Sequence, residues 1–136
     1  MTKRTTFHCS VITPERSVLD CEARFVAFPA HDGEMGVLPH RAALVCKMGI
    51  GALRVQTGDT THLFFVDGGF AQMLNNRLTL LTEQARRVEE LDAASAQRSL
   101  SDALAMGIPD EAAYVARKSA LERARAQRRL IESAKR

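Results

Sequence analysis

The first half of the chain alternates short apolar runs with turn-forming residues. Phe7, Cys9 and Val11 occupy every second position among more polar neighbours, which is the period of a half-buried β-strand. Further strand-length apolar runs cover residues 18–28, 53–55, 63–66, 70–74 and 78–81. Thr57-Gly58-Asp59 and Asn75-Asn76 lie between such runs and predict tight hairpin turns, because Gly and Asn adopt positive φ readily.

The pattern of residues 1–86 predicts an antiparallel β-sandwich or a barrel. Seven of the eight glycines and three of the four prolines lie before Phe70, which is typical of many short strands with turns between them. A parallel α/β sheet would need helical crossovers between its strands, and this segment is too short to hold them. We therefore expect residues 1–86 to form an all-β domain of the sandwich kind.

Residues 87–136 carry the period of α-helices instead. A first helix places five side chains on one face, namely Ala93, Ala96, Leu100, Ala103 and Leu104. Gly107 and Pro109 predict its end, and Asp110 is the expected N-cap of a second helix. The second helix has a narrow stripe of mostly small residues, at Ala113, Ala116, Ala120, Ala124, Ile131 and Ala134. The predicted fold class is thus an all-β sandwich followed by an α-helical hairpin.

An alanine seam holds two helices together weakly. Burying an alanine gains much less than the ~1.5–3 kcal/mol available from a buried Leu or Ile. The hairpin is expected either to leave its resting place for a partner surface or to act as a fixed structural cap, and the composition favours neither.

Composition narrows the class of protein. With 46% hydrophobic and 26% charged residues, and no apolar run near the ~18 residues of a membrane span, the chain is expected to be globular. No signal-like apolar stretch follows Lys3 and Arg4, which favours a bacterial or organelle-encoded protein kept in the cytosol or an equivalent compartment. Cys9, Cys21 and Cys46 are odd in number and widely spaced, so free, buried thiols are expected.

Charge divides the chain into three parts. The net charge is +1 over residues 1–82, −3 over residues 83–110 and +5 over residues 111–136, within a total of +3. A basic helix after an acidic segment predicts that the last part of the chain meets an acidic partner surface.

No residue pattern indicates catalysis or a bound cofactor. The four histidines, at positions 8, 31, 40 and 62, lack the short spacing of metal ligands. No Ser or Cys lies in a recognisable nucleophile elbow, and Gly68-Gly69 is not followed by the Gly-Lys-Ser/Thr of a phosphate-binding loop. Asp32 and Glu34 lie among glycines and are interpreted as a solvated turn rather than an acid-base pair. We predict no catalytic, cofactor-binding or metal-binding residues and no enzymatic activity.

Two motifs carry a resemblance to a known family. The first is Gly33-Glu34-Met35-Gly36-Val37-Leu38-Pro39, and the second is Val66-Asp67-Gly68-Gly69-Phe70 with Asn76, Leu78, Thr79, Leu81 and Ala85 downstream. In this order and separation, and followed by a helical tail, they resemble the epsilon subunit of F-type ATP synthase, which is called delta in mitochondria.

The resemblance implies a rotor subunit of a proton-translocating ATP synthase. The sandwich would clamp gamma, the central shaft, and stand on the polar loops of the membrane-embedded c-ring. Five residues match the family's ring-facing loop, namely His31, Asp32, Glu34, Met35 and Leu38. Gly68 and Gly69 are interpreted as turn residues rather than contacts.

The resemblance also implies that the helical hairpin is inhibitory. In bacterial members the hairpin moves between a compact form and an extended form along gamma, in which it inhibits ATP hydrolysis by the alpha/beta catalytic head. Arginine suits pairing with acidic groups there, because its planar guanidinium donates several hydrogen bonds. The candidate inhibitory residues are Arg117, Arg123, Arg125, Arg128 and Arg129. The chain would be a peripheral membrane protein on the cytoplasmic face of the bacterial inner membrane, attached only through the complex.

Two departures from the family pattern change these expectations. His40-Arg41-Ala42-Ala43 stands where the family commonly has Gly-His-x-Pro, which changes the local charge and removes a turn proline. Some bacterial members bind ATP through Ile/Leu-Asp-x-x-Arg-Ala, whereas this chain has Leu91-Asp92-Ala93-Ala94-Ser95-Ala96. Because the neutral hydroxyl of Ser95 cannot replace the charge-assisted hydrogen bonds of arginine, we expect weak or absent ATP binding and no other cofactor.

Two other classes of protein remain open on the sequence alone. A small basic nucleic-acid-binding protein would use the terminal helix against phosphates, but the sandwich lacks a basic patch with interleaved aromatics, so we expect no nucleic-acid partner. A small hydrolase or isomerase would need a nucleophile and a base, which the sequence does not pair.

Overall fold

The structure, a computed structural model, describes residues 5–30 and 32–134, and these form eight β-strands followed by two α-helices. The strands are β1 (Phe7–Ile12), β2 (Ser17–Ala23), β3 (Phe25–Ala30), β4 (Gly33–Val37), β5 (Leu44–Thr57), β6 (Thr60–Leu74), β7 (Arg77–Leu81) and β8 (Ala85–Arg87). The helices are α1 (Ala93–Ala105) and α2 (Glu111–Ala134), preceded by a 3-10 turn at Val88–Glu90. This order confirms the predicted fold class. The chain divides into two compact units between Arg87 and Val88.

The two longest strands, β5 and β6, form a hairpin at the centre of the strand order. The strand order is β2-β1-β7-β6-β5-β3-β4, and β8 also pairs with β6. β7 pairs with the end of β6, at residues 70–74, whereas β8 pairs with an earlier part, at residues 64–66. The two halves of this one hairpin therefore belong to the two layers of the sandwich, and both layers contribute to one hydrophobic core.

The hairpin bends at Gly68 and Gly69, which lie inside β6. Their φ angles are +71° and +112°, in the region that favours glycine. A Cβ atom at Gly69 would collide with the carbonyl group of Leu81 on β7 and would lie 2.8 Å from Thr82 Cα. The interpretation of these glycines as a turn between two strands is thus wrong. Residues 63–66 and 70–74 form one strand, which bends where a side chain does not fit.

Alternation along the strands builds the core. Phe7, Cys9 and Val11 are fully buried, as their period of two predicts. Large buried side chains from both layers join them, among them Phe28, Leu53, Phe64, Leu78 and Leu80. The three cysteines are free, with Cys9 buried and the other two half-buried.

Two details of the strands differ from the prediction. Residues 18–28 form two strands rather than one, because β2 pairs with β1 whereas β3 pairs with β5. The chain changes partner at Arg24, whose N–H donates a hydrogen bond of 2.7 Å to the Gln56 carbonyl. In addition, β1 and β7 pair in parallel, so the sandwich is not purely antiparallel. A parallel pair requires a long crossover, and here the strands between β1 and β7 supply it.

The second unit is a helix-turn-helix hairpin. Asp110 caps α2 as predicted, since its Oδ1 accepts a hydrogen bond of 2.8 Å from the Ala113 N–H. The helices pack through a cluster formed by Leu100, Ala103, Leu121 and Ala124. Within the described residues, no helix has the length and apolar character needed to cross a membrane.

The seam between the helices differs from the predicted alanine stripe. Leu104 is 51% exposed, because the rotation of about 100° per residue carries it off the face that Ala103 occupies. Leu121, which the predicted stripe did not include, is buried in the seam instead. The helices are therefore held by leucines as well as by small residues.

Candidate functional site

The expected ring-facing residues lie on the β3–β4 hairpin and directly after it. β3 and β4 pair antiparallel with Ala30 opposite Gly33, so Asp32 lies in the turn. Glu34 and Met35 belong to β4, so the turn is shorter than the solvated loop that the sequence predicted. β4 is the last strand in the sheet order, which leaves one edge of this hairpin without a strand neighbour in the described part of the chain. His31 lies outside the described residues.

Strand alternation separates these side chains. Asp32 and Glu34 are exposed, and Leu38, just beyond β4, is 61% exposed. Met35 is half-buried and packs against the core. The exposed groups, which we call the acidic hairpin surface, are thus Asp32, Glu34 and Leu38. A hairpin that offers both acidic and apolar groups suits contact with a polar protein surface.

Glu34 lies near a basic group of a neighbouring strand. Arg54 Nη2 on β5 lies 4.0 Å from Glu34 Oε1, and the same guanidinium lies 5.8 Å from the ring centroid of Phe25. An exposed ion pair of this kind contributes little stability. Gly36 makes room for Phe25, because a Cβ atom at position 36 would lie 3.0 Å from the ring carbon Cε2. The glycine of the first motif therefore serves the packing of this hairpin.

A second surface, which the sequence did not reveal, lies on the outer side of the β6–β7 pair. Phe70 and Leu81 are cross-strand partners and are 56% and 49% exposed. Together with Ile12 and Pro14 they line a hollow of about 450 Å³. Clustered large apolar side chains on a surface are typical of sites that contact another protein, a membrane or a ligand. We call Ile12, Phe70 and Leu81 the apolar face. The sequence feature that could have revealed this face is the alternation of residues in β6 after Gly69, which places Phe70 and Leu74 on the solvent-exposed side.

Three of the five candidate arginines lie together on α2. Arg125, Arg128 and Arg129 are exposed, and their spacing of three and four residues places them on one helix face. With Glu132 they line a hollow of about 180 Å³. We call these three residues the arginine face.

The other two candidate arginines do not belong to this face. Arg123 is exposed but lies about 160° around the helix axis from Arg125. Arg117 is half-buried, and its buried Nε has no hydrogen-bond partner within the described residues. The structure therefore divides the predicted set into one compact group and two separate residues.

The start of α1 contains the position at which ATP-binding relatives were expected to carry arginine. The Asp92 carboxylate accepts hydrogen bonds from the Ser95 hydroxyl (2.9 Å) and from the Ser95 N–H (3.1 Å), so Asp92 caps the helix. Arg98 Nη2 donates to the Ser95 hydroxyl (3.3 Å). The hydrogen bond from the Ser95 side chain is the main cause that holds the pKa of Asp92 below its ordinary value. Asp92 and Ser95 thus serve helix capping.

The described residues offer little reactive chemistry. They contain no group of three or more His, Cys, Asp or Glu side chains that could hold a metal ion. Burial raises the pKa of the Cys9 thiol to about 12, and it also raises the pKa of Cys21 and Cys46. Because the thiolate is the nucleophile, these cysteines are poorly suited to catalysis. The candidates for function are therefore surfaces.

Comparison with known proteins gives a consistent result. The family model described as "ATP synthase, Delta/Epsilon chain, beta-sandwich domain" matches residues 6–88. An ATP synthase epsilon chain of Rhodopirellula baltica is 44% identical over 123 residues, which cover 89% of this chain and 94% of the relative. An ATP synthase epsilon chain of Granulibacter bethesdensis is 35% identical over 127 residues, which cover 92% and 94%.

Two solved structures share the fold. A chain of the Euglena gracilis mitochondrial ATP synthase matches with a TM-score of 0.83 at 24% identity, covering 100% of this chain and 85% of that chain. A chain from the central stalk and c-ring structure of the Tetrahymena thermophila mitochondrial ATP synthase matches with a TM-score of 0.75 at 14% identity, covering 96% and 99%. At these identities the likeness concerns the fold.

Proposed function

The chain belongs to the ATP synthase delta/epsilon family, and on that basis we propose that it is a non-catalytic rotor subunit, which couples c-ring rotation to gamma and the catalytic head. The proposal rests on how much of a relative's length this chain matches. It covers 94% of the Rhodopirellula baltica epsilon chain, far beyond the sandwich alone. Both the sandwich and the helical hairpin therefore have counterparts in an epsilon chain.

The sandwich is proposed to bind gamma through the apolar face. Phe70 and Leu81 are more than two-fifths exposed, and polar residues such as Thr13 and Glu83 lie at the rim of the same hollow. An apolar centre with a polar rim is the usual anatomy of a protein interface. Burial of the apolar centre would stabilise a contact that has to persist while the rotor turns.

The acidic hairpin surface is proposed to meet the polar loops of the c-ring. Its two carboxylates can accept hydrogen bonds from basic or amide groups, and Leu38, beyond the other end of β4, can serve as an apolar anchor. In this arrangement Met35 supports β4 from the core side, where it is half-buried, rather than from the exposed side.

The helical hairpin is proposed to inhibit ATP hydrolysis by the alpha/beta head. Helix α2 has 24 residues and is therefore about 36 Å long, so an extended hairpin would offer a partner surface several helical turns. The arginine face presents three guanidinium groups to acidic groups of the catalytic subunits. Arg117 and Arg123 would meet other parts of the partner surface, because Arg117 is half-buried about three turns before Arg128 and Arg123 lies on another side of α2.

We further propose that ATP binds the hairpin weakly or not at all. Position 95 offers a neutral hydroxyl, and the Asp92 carboxylate is occupied with capping α1. Calorimetric titration of the full chain with ATP should give no micromolar binding, and a micromolar Kd would overturn this expectation.

The location follows from the complex. As part of the rotor, the chain is proposed to lie on the cytoplasmic face of the bacterial inner membrane, attached through gamma and the c-ring. The basic helix is then accounted for by an acidic protein partner, which removes the reason to propose a nucleic acid.

Binding to the cognate gamma subunit tests the proposed function. The unaltered chain is expected to form a complex, and Phe70→Asp is expected to raise the Kd at least about tenfold, because a carboxylate would be buried in an apolar contact. Leu104→Asp is the control, since Leu104 is 51% exposed on the hairpin and lies outside the apolar face. Failure of the unaltered chain to bind would contradict the proposed function. Equal weakening by both substitutions would contradict the assignment of the apolar face.

A further inference from the structure

Asn76, in the turn between β6 and β7, joins three parts of the chain. Asn75 and Asn76 have φ angles of +51° and +60°. The Asn76 Oδ1 accepts a hydrogen bond of 2.8 Å from the His40 N–H, and its Nδ2 donates one of 2.9 Å to the Thr6 carbonyl. The Asn76 carbonyl accepts a third, of 3.2 Å, from the His8 N–H. The turn, the start of β1 and the segment after β4 therefore meet at one residue.

The segment after β4 depends on contacts of this kind. Residues 38–43 are in neither a helix nor a strand, so their backbone groups lack the regular hydrogen bonds of a ladder. His40 has a φ of +64°, a left-handed conformation that residues other than glycine adopt rarely. Leu38, two positions earlier, belongs to the acidic hairpin surface. A restraint on His40 therefore limits where Leu38 can lie.

We propose that Asn76 is a positioning residue for the ring contact, which fixes Leu38 by holding the backbone of His40 against the body of the sandwich. The inference rests on the ring-facing assignment made under the proposed function. An asparagine amide suits this role because it accepts and donates at once. Glycine would keep the positive φ of the turn but would remove both side-chain hydrogen bonds.

The test compares Asn76→Gly with Asn75→Gly in the assembled ATP synthase. Both positions have positive φ in the same turn, so glycine fits either backbone, and only the first substitution removes the amide that joins His40 to Thr6. The measured quantity is the number of protons pumped per ATP hydrolysed in membrane vesicles. For Asn76→Gly it is expected to fall, because losing ordinary hydrogen bonds weakens the equilibrium constant of the positioned state about threefold to tenfold. For Asn75→Gly it is expected to stay unchanged.

Two further measurements distinguish the positioning role of Asn76 from a general structural role and from the ring-facing assignment on which it rests. Binding of Asn76→Gly to gamma is expected to stay within about twofold of the unaltered chain, because gamma contacts a different surface. A Leu38→Asp complex is expected to lose coupling as Asn76→Gly does. Loss of gamma binding in Asn76→Gly would reveal a general structural role and would overturn the inference.

The remaining outcomes are distinguishable. If Leu38→Asp lowers the ratio and Asn76→Gly does not, Asn76 does not position the contact, whereas the ring-facing assignment stands. If Leu38→Asp leaves the ratio unchanged, the ring-facing assignment fails, and the positioning role fails with it whatever Asn76→Gly does.

Discussion

Gly69 and Gly58 both have positive φ, but their surroundings differ. A Cβ atom at Gly69 would overlap the Leu81 carbonyl, whereas nothing lies within 4 Å of one at Gly58. We expect Gly69→Ala to lower the free energy of unfolding by about 3 kcal/mol or more, since a backbone clash adds to the strained φ. Gly58→Ala should lower it by about 1 kcal/mol through φ alone. Urea unfolding of both variants measures the difference. Equal losses would mean that β6 and β7 separate at little cost.

Ser95 controls the pKa of Asp92. Because the folded pKa of Asp92 lies below its ordinary value of 3.8, the cap contributes stability above that pH and loses it as the pH falls through the folded pKa. Ser95→Ala removes the side-chain hydrogen bond, so the pKa of Asp92 should rise and α1 should fray at a higher pH. NMR titration of the Asp92 carboxyl carbon measures this shift, with Ser101→Ala in the same helix as the control. An unchanged pKa would show that the backbone hydrogen bond alone suffices.

His40 shows which details of the candidate site the sequence could not supply. It stands where the resemblance described above predicts glycine, and its φ of +64° is a backbone conformation that suits glycine. The departure from the family pattern was visible in the sequence. The hydrogen bond that holds His40 in this conformation was not visible, because it joins His40 to Asn76, 36 positions away. Local sequence patterns carry no information about such a pairing.

The strands and helices were predictable where the local pattern and the fold agree. Phe7, Cys9 and Val11 follow a period of two and are buried, and Asp110 caps α2. The prediction failed at Gly68-Gly69, because two glycines inside a bent strand have the same sequence signature as a turn. What distinguishes the two cases is the approach of β7, which is a contact between distant parts of the chain.

The arginine face of α2 is the element on which the proposed inhibition depends. Replacing Arg125, Arg128 and Arg129 by Gln removes three charges and keeps good helix formers. Inhibition of ATP hydrolysis should weaken by at least about threefold, because exposed charge pairs contribute about 0.2–1 kcal/mol each and three of them are removed. Lysine at the same three positions is the control and should preserve more of the inhibition than glutamine does, since the charge remains although the planar guanidinium is lost. Initial rates of hydrolysis by the complex provide the measurement. No change in the Gln variant would contradict the assignment of this face.

For the whole molecule, the sequence predicted the two-part architecture but not the apolar face. The change from glycine-rich strands to alanine-rich helices is a property of composition, and it is visible in a single chain. The apolar face is not visible in this way, because it depends on which side of β6 points outward after the bend. Ile12 joins Phe70 and Leu81 only through the parallel pairing of β1 with β7. Surfaces assembled from three distant strands require the tertiary structure.

Truncation after Arg87 tests whether the two units have separate roles. The chain divides between Arg87 and Val88, and β8, which pairs with β6, ends at Arg87 with its guanidinium 5.1 Å from the ring centroid of Phe64. The truncated chain should therefore keep a complete sandwich, together with the apolar face and the acidic hairpin surface. We expect it to bind gamma and to assemble into the complex.

The same truncation removes the arginine face, so ATP hydrolysis should rise while the number of protons pumped per ATP stays unchanged. A chain that ends after Gln84 is the control, because it also lacks β8 and should lose stability of the sandwich itself. Measuring ATP hydrolysis and proton pumping in the same vesicles distinguishes inhibition by the hairpin from coupling by the sandwich. If hydrolysis is equal with the full chain and with the chain that ends at Arg87, the hairpin is a fixed cap, because a detachable inhibitor cannot be removed without effect.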